Sequence, residues 1–150
     1  MTLTAQDVIE MLGLTPLPTE GGHLRQTYLD ERCCAIYYLM AQPDFSGLHQ
    51  LQHLEIWVHH AGAPARMLLI DAGGVVTEPV LGSDLAAGQV PQAIVPPGVW
   101  MAAEPLGDWS LLSTFMAPPY ADDIVTFAHW ADLDGQYPEH ADRIRRLCRF

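Results

Sequence analysis

Lysine is absent from this chain. That absence removes lysine Schiff-base chemistry and any lysine general base from consideration. Basic charge is scarce altogether: seven arginines stand against 18 Asp and Glu, a net of −11 with His neutral. The shortage is uneven. Arg143, Arg145, Arg146 and Arg149 share the last twelve residues with Glu139 and Asp142, so that stretch carries +2 and the remainder −13. A body of that charge repels nucleic acid, so no nucleic-acid partner is expected. The acidity serves solubility and favours neutral or cationic ligands.

Cysteine is also sparse. Cys33, Cys34 and Cys148 contain no C-x-x-C spacing, which argues against a disulfide framework or a structural zinc site. Three reduced thiols suit a cytoplasmic protein. Long apolar runs are missing, and MTLTAQDVIEML lacks a charged n-region followed by an apolar stretch. Neither a membrane span nor a secretory leader is expected. What is plentiful is hydrophobic residues, 49% against 17% charged, enough for a packed core. The 150 residues amount to one domain, 1–150, with no linker or repeat.

Thr4, with Asp7 three residues on, reads as a capped helix start that Gly13 can stop. From the turn Glu20-Gly21-Gly22 onward the pattern is one of short strands: 23–29, 34–41, 54–61, 66–70, 75–81, 92–95, 99–103, 110–117 and 124–127. Turn residues such as Gln42-Pro43-Asp44 and Pro96-Pro97-Gly98 separate them. A second helix is expected from Glu139 to Phe150, its arginines facing the negative end of the helix dipole. Short strands between two terminal helices indicate an all-β sandwich or barrel rather than βαβ units, and a jelly roll fits the count.

His49, His53, His59 and His60 crowd around Glu55, the densest set of acid–base and metal-ligating groups in the chain. Cupins carry a first motif H-x-H-x(3–4)-E-x(6)-G and a second, P-x-G-x(2)-H-x(3)-N. Here His49, Glu55 and Gly62 keep the first register, with Leu51 at the second His. Pro96 and Gly98 keep the second, with Met101 for the His and Pro105 for the Asn. Longer phrases, Glu20-Gly21-Gly22-x-x-Arg25-x-Thr27-Tyr28, Phe45-Ser46-Gly47-Leu48-His49, Glu55-Ile56-Trp57 and Leu81-Gly82-x-Asp84-Leu85, resemble the small cupins of the domain-of-unknown-function 985 family. The resemblance implies a cupin jelly roll and a homodimer, without a settled reaction. Val58 stands where related chains carry His, so no role is transferred to position 58.

Two ligands of a four-ligand cupin set, His49 and Glu55, remain, and His53 is the candidate third. Leu51 is inert and Met101 offers a soft thioether. His59 lies four residues past Glu55, roughly 13 Å along a strand. A tightly bound divalent metal is therefore not expected, and no other cofactor is indicated. The candidate ligand-binding residues are Arg25, Glu55, Trp57, Trp100 and Met101. Arg25 either binds an acid or pairs with Glu20 or Asp30. Trp57 and Trp100 would wall the cavity. Tyr37 and Tyr38 face opposite sides of a strand, and the inward one, taken as Tyr37, would be an acid.

The segment Ser46-Gly47-Leu48-His49 also resembles the R-G-L-H of deoxysugar-nucleotide epimerases, another cupin branch, in which the His is the base. That resemblance makes His49 the expected base, with Ser46 in the place of the Arg. The leading reading is a barrel that binds a small polar metabolite, sugar-like or an acid, with isomerase or epimerase chemistry. A non-catalytic binding or sensing module is the alternative. A metal-dependent oxygenase or decarboxylase would need a different ligand set.

Overall fold

Thr4 opens the first helix of the computed structural model, which describes residues 1–150. Helix α1 (Ala5–Leu12) has the full capping box: the Thr4 side chain accepts from the Asp7 amide, and the Asp7 carboxylate accepts from the Thr4 amide. Gly13, with φ of 64°, ends it in the left-handed conformation.

Twelve strands follow: β1 (Thr15–Pro16), β2 (His23–Leu29), β3 (Cys34–Ala41), β4 (Ser46–Leu51), β5 (Leu54–Gly62), β6 (Ala65–Ile70), β7 (Val76–Thr77), β8 (Val80–Leu81), β9 (Gln92–Val95), β10 (Trp100–Pro105), β11 (Trp109–Ala117) and β12 (Val125–Phe127). They form two antiparallel sheets. The first has the order β1-β2-β3-β11-β5-β9, and the second β12-β4-β10-β6-β7 with β8 also paired to β6. Two short helices close the chain, α2 (Trp130–Leu133) and α3 (Ala141–Leu147). The expected sandwich with a helix at each end is what forms.

Three apolar clusters explain the hydropathy pattern. The largest lies between the sheets and joins Tyr38, Met40, Trp57, Met67, Met101 and Leu112. A second fills the space between the outer face of the second sheet and the C-terminal helices, using Leu48, Leu68, Ile70, Ala102, Ile144 and Leu147. A third seats α1 on the first sheet through Val8, Leu14 and Leu39. Strands such as β6 are covered on both faces, so Met67, Leu68 and Ile70 are all buried and strict alternation disappears.

Several boundaries differ from the sequence expectation. Strand β4, which carries His49, was not among the expected strands; its Gly47 and polar residues weaken the strand signal, and pairing with β10 and β12 supplies it. The span 75–81 is broken into β7 and β8, because Pro79 has no amide to donate. The last helix does not run from Glu139 to Phe150. A 3₁₀ turn occupies Pro138–His140, and the chain is extended from Cys148.

That early ending frees the arginines for other partners. Arg143 pairs with Glu78 and Glu104, and Arg146 with Glu104, instead of only facing the helix end. Arg149 reaches back across the fold. Its Nε donates to the Glu20 carbonyl at 3.1 Å, and its Nη2 donates to Asp44 and to the Phe45 carbonyl. The guanidinium also lies 4.0 Å over the Phe45 ring. Hydrogen bonds to a charged donor are each worth about 1.5–3 kcal/mol net. Arg149→Ala should lower the unfolding free energy by about 2 kcal/mol in urea titration. Arg145→Ala, at an exposed position, should change it by less than about 0.5 kcal/mol.

Candidate functional site

The turn Glu20-Gly21-Gly22 is drawn tightly against β3 and β4. Tyr38 donates from its hydroxyl to the Gly21 carbonyl at 2.5 Å, and the Gly22 amide donates to Asp44 at 2.7 Å. Gly21 and Gly22 have φ of 104° and 79°. A Cβ at Gly22 would lie 2.7 Å from the Tyr38 hydroxyl, and one at Gly21 would meet the Arg149 guanidinium and the Phe45 carbonyl. Only glycine allows both the backbone angle and the close approach. The result is that Glu20, on a loop, enters the space between the sheets.

Glu20 meets His49 there, Oε1 to Nε2, at 3.0 Å. The other ring nitrogen, Nδ1, lies 2.7 Å from the Gly47 carbonyl. A carbonyl only accepts, so Nδ1 carries a hydrogen, and a proton on Nε2 completes the pair with the Glu20 carboxylate. On the facing sheet Glu55 accepts at Oε2 from the Trp57 indole, 3.0 Å away. Trp57 and Tyr38 meet edge to face with centroids 5.8 Å apart.

These groups shift one another's protonation. Burial opposes charge on His49, but the Glu20 carboxylate and, further off, Glu55 outweigh it and raise the imidazole to about 9. Burial pushes Glu20 up, and the charge and hydrogen bond of His49 overcome that, so Glu20 titrates below the usual carboxylate range. Glu55 is pushed up to about 7 by burial, with His49 opposing and Glu20 assisting. Tyr38 rises well above the phenol value through burial and the Glu20 charge, so it keeps its proton.

Glu20 and Glu55 line a cavity of about 530 Å³ that opens past the exposed Tyr120 and Asp122. Most of its wall is apolar, including Leu17, Ile36, Leu51 and Met116, with Tyr38 and Trp57 set into it. Lysine, arginine and histidine do not contribute to the lining.

The residues singled out from sequence separate into two groups. His49, Glu55, Trp57 and Met101 come together: Glu55 and Trp57 at the wall, His49 behind Glu20, and Met101 opposite His49 across the β4–β10 ladder. The others lie elsewhere. Arg25 is exposed on β2 and donates to the Leu12 carbonyl, so it contacts neither a cavity ligand nor Glu20 or Asp30. Tyr37 lies on the outer face of the first sheet under α1, and Tyr38 is the inward tyrosine. Trp100 packs with the outer cluster, because its neighbour Met101 takes the inward position. His53, in the β4–β5 turn, is bonded to the Pro119 carbonyl, and His59 to the Ala63 carbonyl. Glu20 was read from sequence as a turn residue and as a possible partner of Arg25, not as part of the site. Its one signal was the Gly-Gly pair that follows it.

The two upward shifts mean that folded protein holds protons at Glu55 and His49 more tightly than the unfolded chain does. Their contributions to stability are complete below 4.5 and 6.5 and are lost as pH rises through about 7 and about 9. Glu20, lowered from 4.5, contributes above that value and loses it in acid. Thermal melts should therefore decline from about pH 5 toward about pH 9, and Glu55→Gln should flatten the section between about 5 and 7. A melting temperature that climbs from about pH 6 to about pH 9 would contradict the arrangement.

The chain is similar over 99% of its length to 99% of a crystallised protein from Shewanella oneidensis, at 31% identity and a TM-score of 0.91. A hypothetical protein from Leishmania major matches at 24% identity and a TM-score of 0.86, over 97% of this chain and 99% of its own. Oxalate decarboxylase from Bacillus subtilis shares the fold alone, at 12% identity and a TM-score of 0.62, over 89% of this chain and 37% of its own. No curated protein matches the chain in sequence.

That decarboxylase has Mn(II) centres. The present residues do not fit such an ion. Leu51 lacks a donor atom, both His49 nitrogens are engaged, and no group of three or more His, Cys, Asp or Glu is arranged to hold a metal. The sequence model of the Cupin superfamily family DUF985 matches residues 6–128. With that match laid over the jelly roll and its inward His49 and Glu55, the chain belongs to the DUF985 family of the cupin superfamily.

Proposed function

We propose that the barrel binds one small metabolite and exchanges a proton with it through Glu55, in a reaction of the isomerase or epimerase type. The observation that carries this reading is a carboxyl only 6% exposed, raised to about 7, at the wall of a cavity of about 530 Å³. A general base works best when its pKa lies near the working pH, because both protonation states are then populated. The cavity volume falls in the range of small-molecule sites.

His49 is better suited to holding its proton than to moving it. Both ring nitrogens are engaged and the ring lies behind Glu20. Its role is that of a fixed cation which keeps Glu20 ionised and tempers the upward shift of Glu55. Tyr38 keeps its proton on the Gly21 carbonyl and shapes the wall. A nucleotide sugar finds no support, since a diphosphate would meet no basic side chain in the lining.

The non-catalytic alternative is favoured by one observation: Trp57 is already bonded to Glu55 and Tyr38 to Gly21, leaving few free polar groups to act on a ligand. Proton exchange separates the readings. A bound metabolite carrying an acidic C–H should take up deuterium from heavy water in the presence of the protein, followed by NMR. Glu55→Gln should slow that uptake by roughly 10²–10⁴-fold. Binding without any deuterium uptake would favour the binding module.

The chain also fits a homodimer. Ile94 on the edge strand β9 and Phe115 on β11 are 58% and 39% exposed on the outer face of the first sheet, and a free sheet edge needs covering. The three unpaired cysteines suit a reducing, cytoplasmic setting. Light scattering at micromolar concentration should give twice 16.6 kDa; a monomer would count against the dimer.

A further inference from the structure

Charge in the cavity is one-sided. Glu20, Glu55 and Asp122 contribute to its lining, while no lysine, arginine or histidine does. His49 cancels one of the three charges from behind, at Glu20. Glu55 has no such partner: its neighbours at the wall are the Trp57 indole and the Thr114 hydroxyl. Asp122 stands exposed at the mouth without an ion pair. We propose that the natural ligand of this cavity is a small organic cation, an ammonium group on an apolar body, with Glu55 as its counter-ion. The inference rests on the reading of the barrel as a small-molecule site and adds the chemical class of the molecule.

A ligand carboxylate or phosphate would sit beside Glu20, Asp122 and a partly ionised Glu55 in a poorly solvated space whose lining holds no cation, a costly arrangement of buried charge. An ammonium placed at Glu55 supplies the missing partner and forms a charge-assisted hydrogen bond. The rest of the lining suits the remainder of such a molecule. Ile36, Leu51 and Met116 offer apolar contact, and Trp57 and Tyr38 add aromatic wall. The protein as a whole, at −11, draws cations toward the mouth. The acid ligands considered from sequence lose their anchor, since Arg25 lies on the outside. A dianion of the kind named for the Bacillus subtilis oxalate decarboxylase would find no counter-charge here.

A matched series of probes isolates the charge. 2-Phenylethylamine, 2-phenylethanol and phenylacetate share one apolar body and present a cation, a neutral hydroxyl and an anion. Each is titrated into the full-length protein by calorimetry, and thermal shift is read in parallel. The buffer is at about pH 8, where the amine remains charged. The amine should bind at least roughly tenfold more tightly than the alcohol, with no detectable binding of phenylacetate. In Glu55→Gln the advantage of the amine should fall to within about threefold while the alcohol binds as before. The parent series alone decides the matter should that variant fold poorly.

Phenylacetate or phenylethanol binding as well as the amine would overturn the cationic class and leave the barrel standing as a ligand site. An amine advantage that persists undiminished in a folded Glu55→Gln would overturn the assignment of Glu55 as counter-ion. If none of the three probes binds, the small-molecule reading itself falls, and the cation proposal with it.

Discussion

One imidazolium, paired with Glu20 and felt at a distance by Glu55, governs the interior of this barrel. Glu20 and Glu55 are both largely removed from water, and ionising both without a nearby cation would be costly. His49 supplies that cation, held 3.0 Å from Glu20 and fixed in orientation by the Gly47 carbonyl. Because the two carboxylates are unequally placed, one proton is enough to separate their behaviour. The carboxylate in contact with the imidazolium is kept ionised, and the more distant one is left near neutrality. Two like groups thereby acquire different chemistry from position alone.

That geometry depends on a loop being held against the strands. Glu20 has no ladder to fix it. Its carbonyl accepts from the Gly47 amide of β4 at 2.8 Å and from Arg149, 129 residues away, while Tyr38 holds the neighbouring Gly21. Gly21 and Gly22 make the approach sterically feasible. The last residues of the chain are thus part of the support for the site. A guanidinium does this better than an ammonium would, since its planar fork reaches the Glu20 carbonyl, Asp44 and the Phe45 carbonyl together.

The scaffold is that of a family whose fold is shared with a manganese enzyme, yet the cavity has been given different side chains. Leu51 and Met101 make motif positions part of the apolar wall and core, and His49 is paired with Glu20 outside the cavity lining. Fold and chemistry are separable here, as they are in other widely used folds. What remains at the cavity surface is an acidic, aromatic-lined space.

Periodicity and turn residues in the sequence determined the architecture: β2, β3 and β9 fall on their expected boundaries, and α1 begins at its capping box. The resemblance to the cupin motif, rather than alternation along one strand, implied that His49 and Glu55 face the interior, since the two lie on separate strands, β4 and β5. Parity cannot say which of two adjacent tyrosines or neighbouring residues turns inward until the partner sheet is in place. Tyr38 rather than Tyr37, and Met101 rather than Trp100, were decided by packing across the sandwich. Glu20 was beyond local reading altogether. A carboxylate in a glycine turn carries no periodic signal, and its function arises from contacts with residues 18, 29 and 129 positions away in the chain, Tyr38, His49 and Arg149. Long-range contacts of that kind exist only once the chain has closed, so the tertiary structure alone decided the charge of the site.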